Sequence, residues 1–298
     1  MAGRLHGIVV IDKPAGWTSH DVVARMRRLL SERRVGHAGT LDPAATGVLP
    51  VAVGDATKVL EYLSDASKTY LAEFTFGIET DSHDLDGRLL RMAPTDRLSE
   101  ATVRTALHAF EGQIDQIPPM HSAVKVGGRR LYELARAGVE VERAARRVHI
   151  FELRLLDWRP PVATVLIDCS KGTYVRALAR DVGAAVGPGA YLSNLVRLRT
   201  GPFTLCDAWT MTELAMRDVE AEWPSIALHA DEALIDRPAL VLDGPTSRVW
   251  QNGGWLRLAG QDEGAVRVYG PDGDWLGVGR YEPAAESWRP LKVVGAPA

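Results

Sequence analysis

Cysteine is nearly absent from this chain. Cys169 and Cys206 are the only two in 298 residues, which gives no disulfide framework and fits a reducing compartment. Long hydrophobic runs are missing too. The first apolar stretch, Ile8 to Ile11, is followed at once by Asp12-Lys13-Pro14, so neither a signal peptide nor a membrane-spanning helix is expected. A cytoplasmic protein without a membrane partner is the expectation. There is no P-loop and no dinucleotide-binding glycine fingerprint, and the histidines show no zinc-type pairing with cysteine. The acidic stretch Asp81 to Gly87 fails as a calcium loop. With Gly87 as the loop glycine, the closing Glu position is Ala93 and the first ligand position is Ser82. Internal repeats and low-complexity tracts are also lacking.

An excess of charge of either sign is missing as well: the net charge is −3. Its distribution is uneven. His121 to Arg147 carries seven basic residues against three acidic ones, or +4; Asp21 to Arg34 carries five Arg against Asp21 and Glu32, or +3; Met211 to Asp236 carries Arg217 against seven acids, or −6. Such segregation steers a polyanion to one face even when the total is small, although a charge run is also what a solvated helix face looks like. At 46% hydrophobic and 24% charged, the chain is otherwise an ordinary globular one.

The apolar pattern predicts a mixture of strands and helices. Ile8 to Ile11 reads as a short buried strand. Thr18 with Asp21 forms a capping box that opens a helix, with Val22, Val23, Met26, Leu29 and Leu30 inward and Arg25 and Arg28 off the stripe. Lys68 to Gly77 alternates, placing Tyr70, Phe74 and Phe76 on one face of a strand. Val103, Ala106, Leu107 and Phe110 mark a helix after Ser99. Val162 to Cys169 reads as a strand, and Tyr174 to Val186 as a helix stopped by Gly187-Pro188-Gly189. Past Asp236 short apolar strands alternate with turns, and Ala265–Tyr269 with Trp275–Tyr281 reads as a β-hairpin. The expected class is α+β: a mixed or antiparallel sheet flanked by helices, then a small β-domain, with a boundary near Ile235.

One run stands apart from this background: Gly36-His37-Ala38-Gly39-Thr40-Leu41-Asp42-Pro43-Ala44-Ala45-Thr46-Gly47-Val48-Leu49-Pro50. Its glycines and prolines fix a shaped loop, and Asp42 before Pro43 is held rather than free. On spacing alone, a structural turn with Asp42 as a local cap is the simpler reading. The run, however, resembles the signature loop of the TruB family of tRNA pseudouridine synthases. There a Gly-His pair leads to Gly, then Leu-Asp-Pro, then Gly and Leu-Pro. Lys13-Pro14-Ala15-Gly16-Trp17-Thr18-Ser19 resembles the family's first motif, thought to be mainly structural. Lys68-Thr69-Tyr70, Cys169 to Arg176 and Leu195 to Phe203 are similar to further motifs in the same order, and Gln116 to Arg147 resembles the thumb insertion. The resemblance spans nearly all of residues 7 to 203.

The resemblance implies a catalytic domain over residues 1–235 with a thumb at about 116–147, and a C-terminal RNA-binding β-domain similar to the PUA family over 236–298. It implies isomerisation of the uridine at position 55 in the T-loop of tRNA, by a stand-alone monomer that needs neither cofactor, metal nor protein partner. Asp42 would be the catalytic nucleophile. His37 would stabilise the flipped-out RNA, Tyr70 would stack on the flipped base, and Tyr174, Arg176 and Leu195 would line the pocket. Lys125, Arg129, Arg130, Arg146 and Arg147 would meet the RNA backbone of the T-arm. By their residue types alone, Tyr70, Tyr174 and Leu195 read as core and His37 as a loop histidine.

The chemistry asks for such residues. Breaking the C1′–N1 bond of uridine and rejoining the base through C5 needs no redox step, and a carboxylate serves as nucleophile or base. A neighbouring guanidinium favours the ionised carboxylate. Arg176 would instead be an ordinary surface residue at a helix start, were it not that a cation there opposes the helix dipole. Two other readings stay open on sequence: a non-catalytic RNA-binding or RNA-folding protein, and an aspartate-dependent hydrolase, for which no second carboxylate motif is evident.

Overall fold

The apolar runs become strands of a ten-stranded mixed sheet. In the computed structural model, residues 5–295 are described except 123, 124, 137, 140, 262 and 263; the side chains of 125, 126, 130, 132 and 136 are also left aside. The main path across the sheet runs Ala208–Thr210, Gly7–Lys13, Thr46–Val53, Ala190–Thr200, Lys68–Phe76, Val162–Cys169, Arg146–Arg159, Gly112–Gln116. The two central pairings place the site. Thr46–Val53 lies parallel to Ala190–Thr200 through Val196 and Arg197, and Ala190–Thr200 lies antiparallel to Lys68–Phe76. The strands that carry Tyr70, Leu195 and the end of the aspartate loop are therefore neighbours.

Helices cover the sheet where the pattern predicts them. Ser19–Leu29 opens on the Thr18–Asp21 capping box and buries Val22, Val23 and Met26. Glu100–His108 buries Val103 and Leu107. Val175–Val186 begins one residue later than expected, because Tyr174 is its N-cap, and ends at Gly187 with φ 105°, a conformation glycine adopts without penalty.

The C-terminal part forms its own four-stranded sheet, ordered Ala239–Val241, Ala265–Tyr269, Trp275–Glu282, Ser287–Val293. The expected hairpin is its middle pair. Ala265, Trp275 and Val278 pack in one cluster with Ile8, Val10 and Val48 of the large sheet and with Ala230, Ala233 and Leu234. Buried apolar surface, the main stabilising term in folding, thus joins the small sheet to the large one.

Between Gln116 and Arg146, the ends of two paired strands, the chain leaves the sheet. It makes a two-residue ladder, Lys125–Val126 against Arg129–Arg130, and a short helix, Leu131–Arg136. Arg146 and Arg147 themselves belong to the long strand rather than to this excursion. Among the described residues, no helix is long and apolar enough to cross a membrane.

Candidate active site

The loop from His37 to Thr46 is shaped by buried cations behind it. Arg197, 1% exposed, donates from Nε to the Val48 carbonyl at 2.7 Å and from Nη2 to the Gly39 carbonyl at 2.9 Å. Gly47, at φ +96°, lies so close to Arg197 that an added Cβ would fall 2.2 Å from the Arg197 carbonyl oxygen; only glycine fits. Lys13, fully buried, donates to the carbonyls of Pro14, Trp17 and Pro43 at 2.9, 2.6 and 3.1 Å. One ammonium thereby fastens the first motif to the residue after Asp42. Burial lowers the Lys13 pKa to about 8, while Asp42 acts in the opposite direction. The Ser19 hydroxyl accepts from the Leu41 N–H at 3.0 Å and donates to the Leu41 carbonyl at 3.3 Å. The flanks of Asp42 are thus pinned from both sides.

Asp42 itself faces Arg176. The guanidinium reaches it twice, Nε to Oδ2 at 3.0 Å and Nη2 to Oδ1 at 3.2 Å. The Arg176 side chain is 7% exposed, whereas that of Asp42 keeps 43%. The carboxylate is held by a buried fork and stays reachable. Burial pushes the Asp42 carboxyl above its ordinary range; Arg176 pulls it down, Asp84 adds to the rise, and Lys13 opposes it. Only the ionised form accepts both guanidinium bonds, so the fork favours the nucleophilic species.

Arg176 binds more than Asp42. Its Nη1 donates to Asp84 Oδ2 at 3.1 Å and its Nη2 to the His121 carbonyl at 2.8 Å. A second carboxylate thus accompanies Asp42, although no second carboxylate motif is evident in the sequence. Asp84 lies in the acidic stretch that fails as a calcium loop, and folding carries it to the guanidinium. Asp84 also accepts from the Ser82 hydroxyl and from the Asp86 N–H at 3.1 Å, so its oxygens are engaged by the protein and it is poorly placed to activate water. The same guanidinium therefore ties the aspartate loop, the acidic loop and the start of the thumb. Its place in the first turn of Val175–Val186, where the helix dipole disfavours a cation, is stabilised by two carboxylates.

The other predicted residues gather on this frame. Tyr70 is 8% exposed and packs in a core cluster with Leu41, Ala45, Val175 and, at its margin, Leu195. Burial raises its hydroxyl pKa and Arg197 opposes the rise. Tyr174 is half-buried. Its backbone N–H donates to Gln116 Oε1 at 2.8 Å and its carbonyl accepts from Gln116 Nε2 at 3.1 Å, so the base of the thumb clasps the start of the Arg176 helix. His37 packs edge-on against His20, with ring centroids 5.4 Å apart. Its pKa is pushed down to about 4 by burial first, then by His20 and Arg197, which leaves a neutral imidazole near pH 7. Its Nδ1 is buried with no hydrogen-bond partner among the described residues.

The thumb residues divide. Arg129 is exposed. Arg147 is paired with Asp115, Nε to Oδ1 at 3.1 Å and Nη2 to Oδ2 at 3.3 Å, across the ladder where the two residues face each other. Arg146 is exposed on the same strand. The side chains of Lys125 and Arg130 lie outside the described residues. Among the described residues, no group of three or more His, Cys, Asp or Glu side chains is placed to hold a metal.

Sequence reasoning missed Asp84, Arg197, Gln116 and the His121 carbonyl as parts of this site. Arg197 and Gln116 lie inside stretches already singled out, yet nothing in spacing tells a buried guanidinium from an exposed one. Asp84 had one usable signal, an acidic loop without a metal to bind.

Known proteins are similar to this chain in sequence and in fold. The family described as "TruB family pseudouridylate synthase (N terminal domain)" matches residues 27–175, and "tRNA pseudouridylate synthase B C-terminal domain" matches residues 176–230. A tRNA pseudouridine synthase B from Symbiobacterium thermophilum is 50% identical over 82% of this chain and 80% of its own length. Its counterpart from Trichormus variabilis is 44% identical over 93% and 95%. Among solved structures, a Cbf5–Nop10–Gar1 complex matches with a TM-score of 0.74 at 24% identity, covering 97% of this chain and 84% of that one. An H/ACA RNP bound to a substrate RNA containing 2′-deoxyuridine matches at 0.73 and 23%, covering 96% and 84%. At that identity the likeness is one of fold.

Proposed function

Because the chain belongs to the TruB family of pseudouridylate synthases, we propose that it isomerises uridine to pseudouridine at position 55 in the T-loop of tRNA, with Asp42 as the catalytic nucleophile. The relatives named tRNA pseudouridine synthase B support tRNA as substrate. The observation that carries the Asp42 assignment is its bidentate grip by a buried Arg176 while its own side chain remains 43% exposed. That arrangement is a preorganised, reachable carboxylate held beside a fixed cation.

The target base must leave its stack to reach Asp42, at a cost of a few kcal/mol that contacts in the pocket offset. The carboxylate then acts on the flipped nucleotide, as nucleophile or as base. The C1′–N1 bond breaks, the base turns, C1′ bonds to C5, the hydrogen on C5 leaves, and N1 gains a proton. The neutral His37 sits at the histidine end of the loop, beside the path of the extruded nucleotide. Residues 1–235 form the catalytic unit in this reading. Residues 236–298 add a second RNA-binding surface, and the thumb lies over the T-arm.

The test is single-turnover conversion of purified tRNA by the wild type and by Asp42→Asn. The variant keeps the side-chain shape but loses the charge and one of the two acceptors that Arg176 grips. Loss of product with retained tRNA binding is the expected result. Appreciable pseudouridine from a folded Asp42→Asn protein would sink the nucleophile assignment.

A further inference from the structure

We infer that the exposed face of the helix Ser19–Leu29, with Arg33 beyond its end, is a further RNA-backbone contact separate from the thumb and from residues 236–298, one that takes phosphates of the substrate RNA; this rests on the RNA-modifying reading above. Three observations carry it. First, Arg25, Arg28 and Arg33 are exposed, and among the described residues none of them forms an ion pair. Arg147, by contrast, already holds Asp115. Arginines without a carboxylate are ready for phosphate oxygens, which a guanidinium binds through parallel N–H bonds.

Second, this helix is docked on the catalytic loop. Its first residue, Ser19, exchanges two hydrogen bonds with Leu41. His20 packs on His37, and the Gly16 N–H, just ahead of the helix, donates to the Pro43 carbonyl at 2.9 Å. Contacts on both neighbours of Asp42 fix the helix face relative to the reacting carboxylate. The thumb reaches the same loop by another route, through the His121 carbonyl and Arg176. The helix and the thumb are therefore anchored to the aspartate loop independently.

Third, the surface beside Arg28 is indented. A cavity of about 330 Å³ lies between the Trp17 turn and the helix, lined by Gly16, Trp17, Asp21, Ala24 and Arg28. Asp21 is the one anionic group there. Its oxygen already accepts from the Thr18 N–H and hydroxyl, which turns it toward the helix cap. Arg25 and Arg28, three residues apart, share a face, and Arg28 borders the depression.

The test neutralises Arg25, Arg28 and Arg33 together to Gln and measures tRNA binding across a salt series. Every phosphate deprived of its guanidinium flattens the log–log salt dependence by roughly 0.7 to 0.9, so a fall of about 2 in slope is expected, with weaker binding at low salt. Circular dichroism confirms that the helix persists. A control triple variant, Arg104→Gln with Arg154→Gln and Arg159→Gln, removes the same charge from arginines paired with Glu100, Glu152 and Asp157. An unchanged slope in the helix variant, or an equal fall in the control, would overturn the proposal. Failure of the wild type to make pseudouridine would instead overturn the proposed activity, while the binding result still decides the role of the helix.

Discussion

Arg176 holds Asp42 by two bonds, Nε to Oδ2 and Nη2 to Oδ1, at 3.0 and 3.2 Å. Both bonds come from one rigid planar group, so the carboxylate's orientation is set together with its charge. Lysine cannot reproduce this, because an ammonium is a point charge on a flexible stem. Arg176→Lys is expected to lower the single-turnover rate by about 100-fold or more, the scale of a misplaced reacting group. Saturating tRNA will not restore the rate. Near-normal turnover would mean that charge alone suffices and that the fork is incidental.

The second carboxylate on Arg176 gives a pH prediction with a definite sign. Asp42 must be ionised to act, and burial places its pKa above the ordinary carboxylate value. Activity is therefore lost as pH falls through that raised value, at a higher pH than for a free aspartate. The negative charge of Asp84 contributes to the rise. Asp84→Asn keeps an oxygen for Arg176 and removes that charge, so the acid limb of the rate profile is expected to move to lower pH. A limb that moves upward would show that Asp84 acts mainly by steadying Arg176.

How much of this was legible in the sequence depends on whether a residue acts locally or through the fold. The capping box at Thr18 and Asp21, the strand Val162–Cys169 and the hairpin of the C-terminal sheet follow from patterns within a dozen residues. The loop that carries Asp42 was visible as a motif, and so was Arg176. What spacing could not supply was the company they keep. Asp84 stands 42 residues from Asp42 and 92 from Arg176, and its pairing exists only once the sheet and the Val175–Val186 helix are in place. Arg197 shows the same limit. In sequence it looks like its neighbour Arg199, yet its strand turns it into the core, where backbone carbonyls receive it.

Gly47 is where the loop meets that buried guanidinium's backbone. At φ +96° and with no room for a Cβ beside the Arg197 carbonyl, alanine is both strained and in collision. Strain at such a backbone costs of order 1–3 kcal/mol, and relieving the clash moves the Thr46–Val53 strand away from Ala190–Thr200. Gly47→Ala is expected to lower stability by about 2 kcal/mol or more in urea unfolding and to reduce activity further by displacing Asp42. A fully stable variant would mean that the parallel pairing of these two strands is slack at this point.

The basic thumb region is expected to act as an electrostatic clamp, and its members should not contribute equally. Arg129 is exposed, whereas Arg147 must first part from Asp115, which faces it across the strand pair. An exposed pair of this kind is worth at most about 1 kcal/mol, so RNA is able to displace it, but the exchange reduces what the phosphate contact adds. Neutralising Arg129, Arg130, Arg146 and Arg147 together is expected to weaken tRNA binding and to flatten the salt dependence by roughly 0.7 to 0.9 per phosphate. The choice of uridine should stay the same, because backbone contacts position an RNA without reading its bases. Within the set, Arg147→Gln should cost less affinity than Arg129→Gln, and Asp115→Asn should tighten binding by freeing Arg147. The measurement is a tRNA titration at several salt concentrations for each variant, with pseudouridine mapped in the product. A quadruple variant with an unchanged slope would place the RNA on another face, and Asp115→Asn with weaker binding would show that the Asp115–Arg147 pair holds the thumb in its binding shape.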